Sequence, residues 1–469
     1  TGGGNLITTT GATFTGNIST AGISSVTAGT SNFVAGVNAG NSITSGGNYN
    51  TVVGDEAGTA LTTGGQNVAV GMNAMVGQTT ASYNVAVGQA ALSANTTGAN
   101  TTAVGWNSLT ANTTGASNTA VGSSALGANT TGGDITALGY NALRFNTTGG
   151  DNVAVGTEAL TANTTGGQNV AVGRQSLKSN TTASNNTALG NYSLFYNTTG
   201  GDNTAVGRSA LEDNTTGSAN TAVGMGSLES NTTGTLSTAI GRDALKSSTT
   251  ANSNTAVGRE ALRDTTTGGE NVAIGLNAMA GNTTGPRNTA IGKQCLQNLT
   301  TGDNNTAIGF MAGYNNNTNA TTTGYGNTLI GTYAHTNAAN TQYANALGQS
   351  IGASGGYTTL GSGGSDIRAS HGSTTWSTVS DERYKKDITT STAGLSFVNE
   401  LRPVTWNYKT LGELPTTFSA YEADSTEVFK NTQTNHGFIA QEVKAVIDNH
   451  SEIKDGFRLW DDREDGSQE

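Results

Sequence analysis

A glycine recurs at every seventeenth position from Gly54 to Gly309 without interruption. The glycine belongs to a repeated unit. It is preceded by Asn, by Thr or Val, by Ala and by a branched aliphatic residue, in that order. It is followed by Ala or Ser, then Leu, and then Asn-Thr-Thr-Gly. A fixed short period of this kind is typical of supersecondary units that stack and stabilise one another. The period therefore predicts a solenoid before any functional site is considered.

The composition alone suggests a low-complexity chain, because hydrophobic residues make up only 34% and charged residues only 11% of the sequence. A disordered chain rich in Gly, Asn and Thr has no reason to keep one register over so many repeats. We therefore expect an ordered, extended molecule.

Within each unit, the three residues before the glycine alternate as in a short strand: Thr or Val, then Ala, then an aliphatic residue. We predict a second short strand through the Ala-Leu pair, and corners at glycines such as Gly98 and Gly115. With one strand spacing of about 4.8 Å per coil, the series forms a rod of roughly 70 Å. Equivalent asparagines such as Asn152 and Asn169 are expected to form a side-chain ladder along it.

Alanine occupies the position two before the glycine in every unit from Ala69 to Ala307. Either this column lines the interior of a single chain, or it packs against identical chains around a three-fold axis. Because two aliphatic side chains per coil offset little of the conformational entropy lost when the whole coil becomes ordered, we favour the second alternative. The sequence thus predicts a parallel homotrimer, which also covers exposed strand edges.

The two positions after each glycine vary, as at Trp106, Tyr140 and Arg174. Variable positions in a repeat point to solvent, so we expect a solvated face with ion pairs between chains; a glycan- or protein-binding stripe is the alternative. The Asn-Thr-Thr segments match the N-glycosylation pattern. Local hydrogen bonding at corners explains them better.

Several classes of function are disfavoured. The net charge of −11 argues against a nucleic-acid partner, and no apolar run long enough for membrane insertion is present. The four histidines show no metal-ligand spacing with acids or with Cys295, so neither a metal nor a cofactor is expected. Cys295 takes a position usually held by Ala or Ser, which indicates a small buried thiol.

The sequence divides into four segments. We assign residues 1–49 to a β-rich N-terminal cap, 50–331 to the solenoid (the shaft), 332–376 to an irregular Gly-rich neck, and 377–469 to a small α/β module. In that module the pattern predicts a helix near residues 392–401, a strand near 404–408, and a strand running into a helix across 438–447.

The motif from Asn118 to Gly122 resembles the β-roll repeats of trimeric autotransporter adhesin heads and of phage tail fibres. The C-terminal module carries three further motifs, beginning with Ser-Asp-Glu-Arg-Tyr-Lys-Lys-Asp-Ile at Ser380. Leu-Arg-Pro-Val at Leu401 and Gly-Phe-Ile-Ala-Gln-Glu-Val at Gly437 follow. In this order they resemble the C-terminal intramolecular chaperone of endosialidase-type tailspikes.

The resemblance implies a domain that trimerises, guides folding of the β-structured shaft before it, and cuts the chain at the Ser-Asp step. It makes Ser380 the nucleophile, Lys385 the general base and Asp381 the first residue of the released fragment. A lysine can act as a base when burial or nearby cations lower its pKa, and Arg383 and Lys386 are candidate cations. The family's long C-terminal helix is not in this sequence, so we expect the domain to be C-terminally incomplete and the sequence to be part of a longer polypeptide.

We therefore predict an extracellular, structural tail-fibre protein of a phage virion. Its expected partners are its own copies in a homotrimer, a host-cell receptor (glycan or protein), and other tail or baseplate proteins. The alternative is a bacterial surface or filament-forming adhesin with the same chaperone. We expect no enzymatic activity in the shaft, and single-turnover autoproteolysis at most in the C-terminal domain. A glycan-degrading tailspike is disfavoured, because the regular coils show no break where paired carboxylates converge.

Overall fold

In the computed structural model the chain divides into two compact units, Thr1–Val379 and Ser380–Glu469. The structure describes residues 23–24, 29–314, 321–363, 365–373, 377–378, 395–417, 420–430 and 432–449. The first unit is nearly all β, whereas the second combines short helices with a strand pair. In the described ranges, no helix combines the length and the apolar character needed to cross a bilayer.

The shaft is a parallel β-solenoid with one three-residue strand per coil. Val170 lies opposite Val153 on one side and opposite Thr187 on the other, so neighbouring strands pair at a constant offset of one repeat. The predicted all-β, 17-residue-repeat solenoid is confirmed. Its strands are Thr51–Val53, Val68–Val70, Val85–Val87, Thr102–Val104, Thr119–Val121, Thr136–Leu138, Val153–Val155, Val170–Val172, Thr187–Leu189, Thr204–Val206, Thr221–Val223, Thr238–Ile240, Thr255–Val257, Val272–Ile274, Thr289–Ile291, Thr306–Ile308 and Thr328–Ile330.

Strand pairing extends past both ends of the glycine series. Phe33–Ala35 pairs in parallel with the first shaft strand, and Ile23–Ser24 pairs antiparallel with Phe33–Ala35. After the shaft, Asn345–Gln349 and then Tyr357–Ser362 continue the parallel stack. The remaining strands of this unit are His335–Thr336, which pairs with Gly352–Ala353, and Ser365–Ser370, which pairs antiparallel with Tyr357–Ser362 and with Ser377–Thr378.

The alanine column lines the interior of each single coil. Ala171 and Ala188 are fully buried within one chain, and they belong to the same apolar core as the buried Leu177. The assignment of this column to a face between chains is therefore wrong. The alternating pattern correctly separates the two faces of the strand, but a three-residue strand does not by itself reveal which face is inside.

The second strand predicted through the Ala-Leu pair is also wrong. Leu109 has a φ of +50° and Asn107 a φ of +54°, so this segment turns with alternating left-handed residues. The strain of a left-handed leucine is about 1–2 kcal/mol. Burial of the Leu109 side chain and the hydrogen bond from its N–H to the Ala125 carbonyl of the next coil (3.0 Å) offset it.

The asparagine ladder is confirmed, and a second one runs beside it. In the first, the Asn169 N–H and Nδ2 donate to Asn152 Oδ1 of the preceding coil, at 2.9 and 3.2 Å. In the second, the asparagines of Asn-Thr-Thr are linked, as where Asn112 Nδ2 donates to Asn95 Oδ1 at 2.9 Å. These amides are fully buried, so the folded shaft does not present them to a glycosylating enzyme.

The repeating glycine is required by the close approach of successive coils. Gly173 has a φ of +135°, a conformation that side chains rarely adopt. A Cβ there would lie 2.6 Å from the carbonyl oxygen of Gly190 in the next coil. The period therefore reflects one stacking contact repeated along the shaft.

In its described residues, the second unit contains the antiparallel strand pair Pro403–Trp406 with Asn435–Phe438. A helix, Leu395–Glu400, precedes this pair and another, Ala440–Asn449, follows it. A short 3₁₀ turn, Leu411–Glu413, lies between the strands. The helix, strand and strand-to-helix segments predicted from the sequence are thus present.

Candidate functional site

The residues predicted to cut the chain lie outside the described residues. Ser380, Asp381 and Lys385 are in this group, together with Arg383 and Lys386. Their roles as nucleophile, fragment start, base and neighbouring cations remain predictions that rest on the sequence resemblance.

The two downstream motifs of the C-terminal domain lie side by side. Pro403 pairs with Phe438 and Val404 pairs with Gly437, so the Leu-Arg-Pro-Val and Gly-Phe-Ile motifs form the two strands of one ladder. The motifs are distant in the chain, since one begins at Leu401 and the other at Gly437. Their shared role is to build this strand pair.

A charged pair joins the same two motifs just beyond the strands. Arg402 Nε donates to Glu442 Oε2 at 2.9 Å, and its Nη2 donates to Oε1, a bidentate contact. This hydrogen bonding lowers the pKa of Glu442 and raises that of Arg402. Glu442 lies in the first turn of its helix, where a negative charge also interacts favourably with the helix dipole. Arg402 thereby links the start of this helix to the strand pair.

The described part of this domain has a small core and an exposed apolar edge. Phe397 and Ile447, from the two helices, are its buried apolar side chains. Phe438 and Ile439, by contrast, are exposed where the second strand meets its helix. Much of the apolar surface of the second motif therefore faces outward.

The outward face of the shaft strands forms an uncharged stripe. We call the first and third residues of the strands from Thr51–Val53 to Thr328–Ile330 the strand stripe. Every one of them is Thr, Val, Leu or Ile. Third-position residues that are 36% to 41% exposed are Val121, Leu138, Leu189, Ile240, Ile274, Ile291, Ile308 and Ile330. A single chain thus leaves an aliphatic column along most of the shaft.

The variable positions after the glycine only partly face solvent. At the first position Trp106 and Tyr140 are exposed, as predicted. At the second position, however, where φ is left-handed, Asn141 and Asp243 are buried, and Glu158 is half-buried.

Ion pairs on this face form within one chain. Lys246 Nζ contacts Glu229 at 3.2 Å, in the preceding coil, and Asp243 at 3.3 Å. Coil stacking thus brings opposite charges together within one chain, and ion pairs between chains remain a prediction.

Cys295 is a structural thiol. It is buried, its Sγ contacts the Ala307 carbonyl at 3.2 Å, and burial raises its pKa to about 12. Across the described ranges, no group of three His, Cys, Asp or Glu side chains is arranged to hold a metal ion.

Comparison with known proteins identifies the C-terminal domain. Residues 380–452 match the family model described as chaperone of endosialidase, a span that includes all three motifs. No curated protein and no solved structure gives a match. The family match confirms the resemblance and supports a role in folding and trimerisation for this domain.

Proposed function

We propose that the chain is a homotrimeric tail-fibre protein of a phage, whose shaft attaches the particle to a receptor on the host cell. The C-terminal domain assists folding and trimer assembly and then releases itself by cutting between Ser380 and Asp381. The observation that supports this most is the succession, in one chain, of a regular β-solenoid and a domain similar to the endosialidase chaperone. A long repetitive shaft is suited to reaching a cell surface rather than to enclosing a substrate.

The strand stripe supports the trimer. An aliphatic face that repeats once per coil is best covered by a surface with the same repeat, and another copy of this chain supplies that surface. Burial of the stripe adds apolar contact that a single thin coil lacks. The exposed strand stripe, rather than the buried alanine column, therefore supports association of the chains.

Light scattering on the full chain tests this interface. In the Ser380→Ala background, where the chain should stay uncut, we expect a mass near three times 47.2 kDa. Ile240→Glu with Ile274→Glu places charges in the stripe and should dissociate the trimer. The matched control, Thr250→Glu with Thr267→Glu, alters two exposed corner residues and should not. A monomeric wild type, or a trimer unaffected by the stripe variants, contradicts the proposal.

Self-cleavage is tested on a denaturing gel. The net reaction consumes one water and leaves a carboxylate at Ser380 and a free amine at Asp381. Wild type and a Ser373→Ala control should give two fragments, whereas Ser380→Ala and Lys385→Ala should stay intact. Identical band patterns for all four proteins remove the assigned roles.

Immunogold labelling tests the location and the attachment role. Gold on the tail fibres of phage particles supports the proposal, as does binding of the purified trimer to host cells. Labelling of the surface of uninfected bacteria instead favours the adhesin alternative. A trimer that binds no host cell contradicts the attachment role.

A further inference from the structure

One coil of the shaft carries an unusual group of aromatic residues. Tyr192, Phe195 and Tyr196 lie close together in the chain, whereas most coils have no aromatic side chain. The Tyr192 and Phe195 rings meet edge to face with centroids 5.5 Å apart, and the Phe195 and Tyr196 rings do so at 4.5 Å. None of the three rings is buried in the core, and Tyr196 is 50% exposed. The coil therefore presents an aromatic surface to solvent.

Two cationic side chains of the preceding coil lie over these rings. Arg174 lies over the Tyr192 ring, and Lys178 over the Phe195 ring, each at 5.7 Å from the centroid. Lys178 also pairs with Glu158 at 2.8 Å, and Gln175 donates to the same carboxylate at 2.7 Å. These hydrogen bonds lower the pKa of Glu158. The rings thus adjoin a row of hydrogen-bonding groups that spans three coils.

A second exposed ring lies three coils away, at the position equivalent to Tyr196. Phe145 is 48% exposed, with Arg144 over its ring at 5.1 Å. The two coils between these rings carry Ala162 and Ser179 at the same position. Three strand spacings separate the rings by about 14 Å. Small side chains between two large ones make a shallow trough along the shaft.

The cationic side chains Arg144, Arg174 and Lys178 lie in the coils spanned by the two exposed rings, whereas the acidic Glu212 and Asp213 follow in the coil beyond Tyr196. Arg144 and Arg174 form no ion pair with the described residues, whereas Lys178 is paired with Glu158. A guanidinium group binds a carboxylate through two parallel hydrogen bonds. The trough therefore offers two unpaired sites for acidic groups beside two apolar rings.

We propose that this trough, bounded by Phe145 and Tyr196 and flanked by Arg144 and Arg174, binds a carboxylated oligosaccharide of the host surface. The inference rests on the proposed attachment role and specifies its ligand. Sugar rings present flat C–H faces that pack on aromatic side chains, and their hydroxyl groups exchange hydrogen bonds with groups such as Gln175. The carboxylates pair with the arginines, which selects acidic over neutral glycans.

Binding of defined trisaccharides to the full-chain protein tests the trough. The probes are trigalacturonate and a trimer of sialic acid, which carry carboxylates, and maltotriose, which is neutral. We expect at least one carboxylated probe to bind at least tenfold more tightly than maltotriose. Tyr196→Ala and Arg174→Ala should each weaken that binding about tenfold or more.

Arg259→Ala is the matched control, because Arg259 takes the same position as Arg174 in a coil five repeats further along. It should bind like wild type. Failure of both carboxylated probes to bind wild type overturns the inference, and so does equal binding by the trough variants. If the trimer binds host cells but the trough variants do so equally well, the inference fails while the attachment role stands. If the trimer binds no host cell, the attachment role itself fails.

Discussion

The second asparagine ladder has a gap whose repair should stabilise the shaft. From Asn112 to Asn231, each asparagine Nδ2 donates to the Oδ1 of the asparagine one coil earlier, at 2.7 to 3.0 Å. Ser248 and Thr265 occupy the next two positions, before the asparagine returns at Asn282. Neither side chain has the amide that the ladder requires.

Around the gap, four buried oxygen atoms have no hydrogen-bond partner in the described structure. They are Asn231 Oδ1, Ser248 Oγ, Thr265 Oγ1 and Asn282 Oδ1. They account for most of the unpartnered buried side-chain atoms in the described residues, and all four lie in one column. Three of them result from the gap, whereas Asn282 Oδ1 lacks a donor because the next position of the column is Leu299. A buried polar atom without a partner costs about 1–3 kcal/mol.

We predict that Ser248→Asn combined with Thr265→Asn stabilises the folded shaft by about 2–4 kcal/mol. The new amide at position 248 donates to Asn231 Oδ1, and the new amide at position 265 donates to the new carbonyl at 248. Asn282 Nδ2 then donates to the new carbonyl at 265, as in the regular ladder. This adds three bonds worth about 1 kcal/mol each, and it removes three of the four unpartnered oxygens.

Circular dichroism during guanidinium unfolding, under matched conditions, measures the effect. The double variant should have a higher midpoint than wild type. Asn163→Ser, within the intact ladder, should lower the midpoint, because it deprives Asn146 Oδ1 of a donor and Asn180 Nδ2 of an acceptor. If Asn163→Ser destabilises the shaft while the double variant is no more stable than wild type, restoring the ladder at positions 248 and 265 does not stabilise the shaft, and the prediction is wrong.

Three further predictions concern single positions. Gly173→Ala should destabilise the shaft by at least about 2 kcal/mol in the same assay. The new side chain would have a φ of +135° and would clash with the next coil. The control Gly167→Ala should cost less, because Gly167 has no positive φ. Cys295 should stay unreactive toward Ellman's reagent at pH 8 and react on unfolding, because burial raises its pKa to about 12. Arg402→Ala should reduce the helix content of the C-terminal domain near neutral pH. Arg402 lowers the pKa of Glu442, so their pairing stabilises the fold at pH values above the ordinary carboxyl pKa. This stabilisation is lost as the pH falls through the pKa of Glu442 in the folded protein. The helix contents of wild type and variant should therefore converge in acid.

The features that repeat were predictable from the sequence. The repeat period gives the number of residues in one coil, because an equivalent contact in each coil requires an equivalent residue, as at Gly173. The same reasoning predicted the ladder through Asn152 and Asn169. In both cases the residue type that recurs is the one that the stacking contact requires.

The features that depend on orientation were not predictable. Nothing local to Leu109 indicates a left-handed backbone, because leucine rarely adopts it and tertiary burial decides the outcome. The direction of the alanine column depends on what the rest of the coil encloses. The contact between Arg402 and Glu442 joins residues 40 positions apart, so no helix or strand period reveals it.

The regularity that stabilises the shaft also gives a physical reason for the proposed chaperone role. A slip by one whole coil replaces each strand contact with a nearly identical one, so the repeats alone distinguish the correct register only weakly. In the proposed trimer, the strand stripe would tolerate the same slip between chains. A domain outside the repeat can fix the register at one end, because its own contacts, such as the Arg402–Glu442 pair, occur once per chain. If the proposed role is correct, the coils next to this domain align first, and the remaining coils stack from that defined starting point.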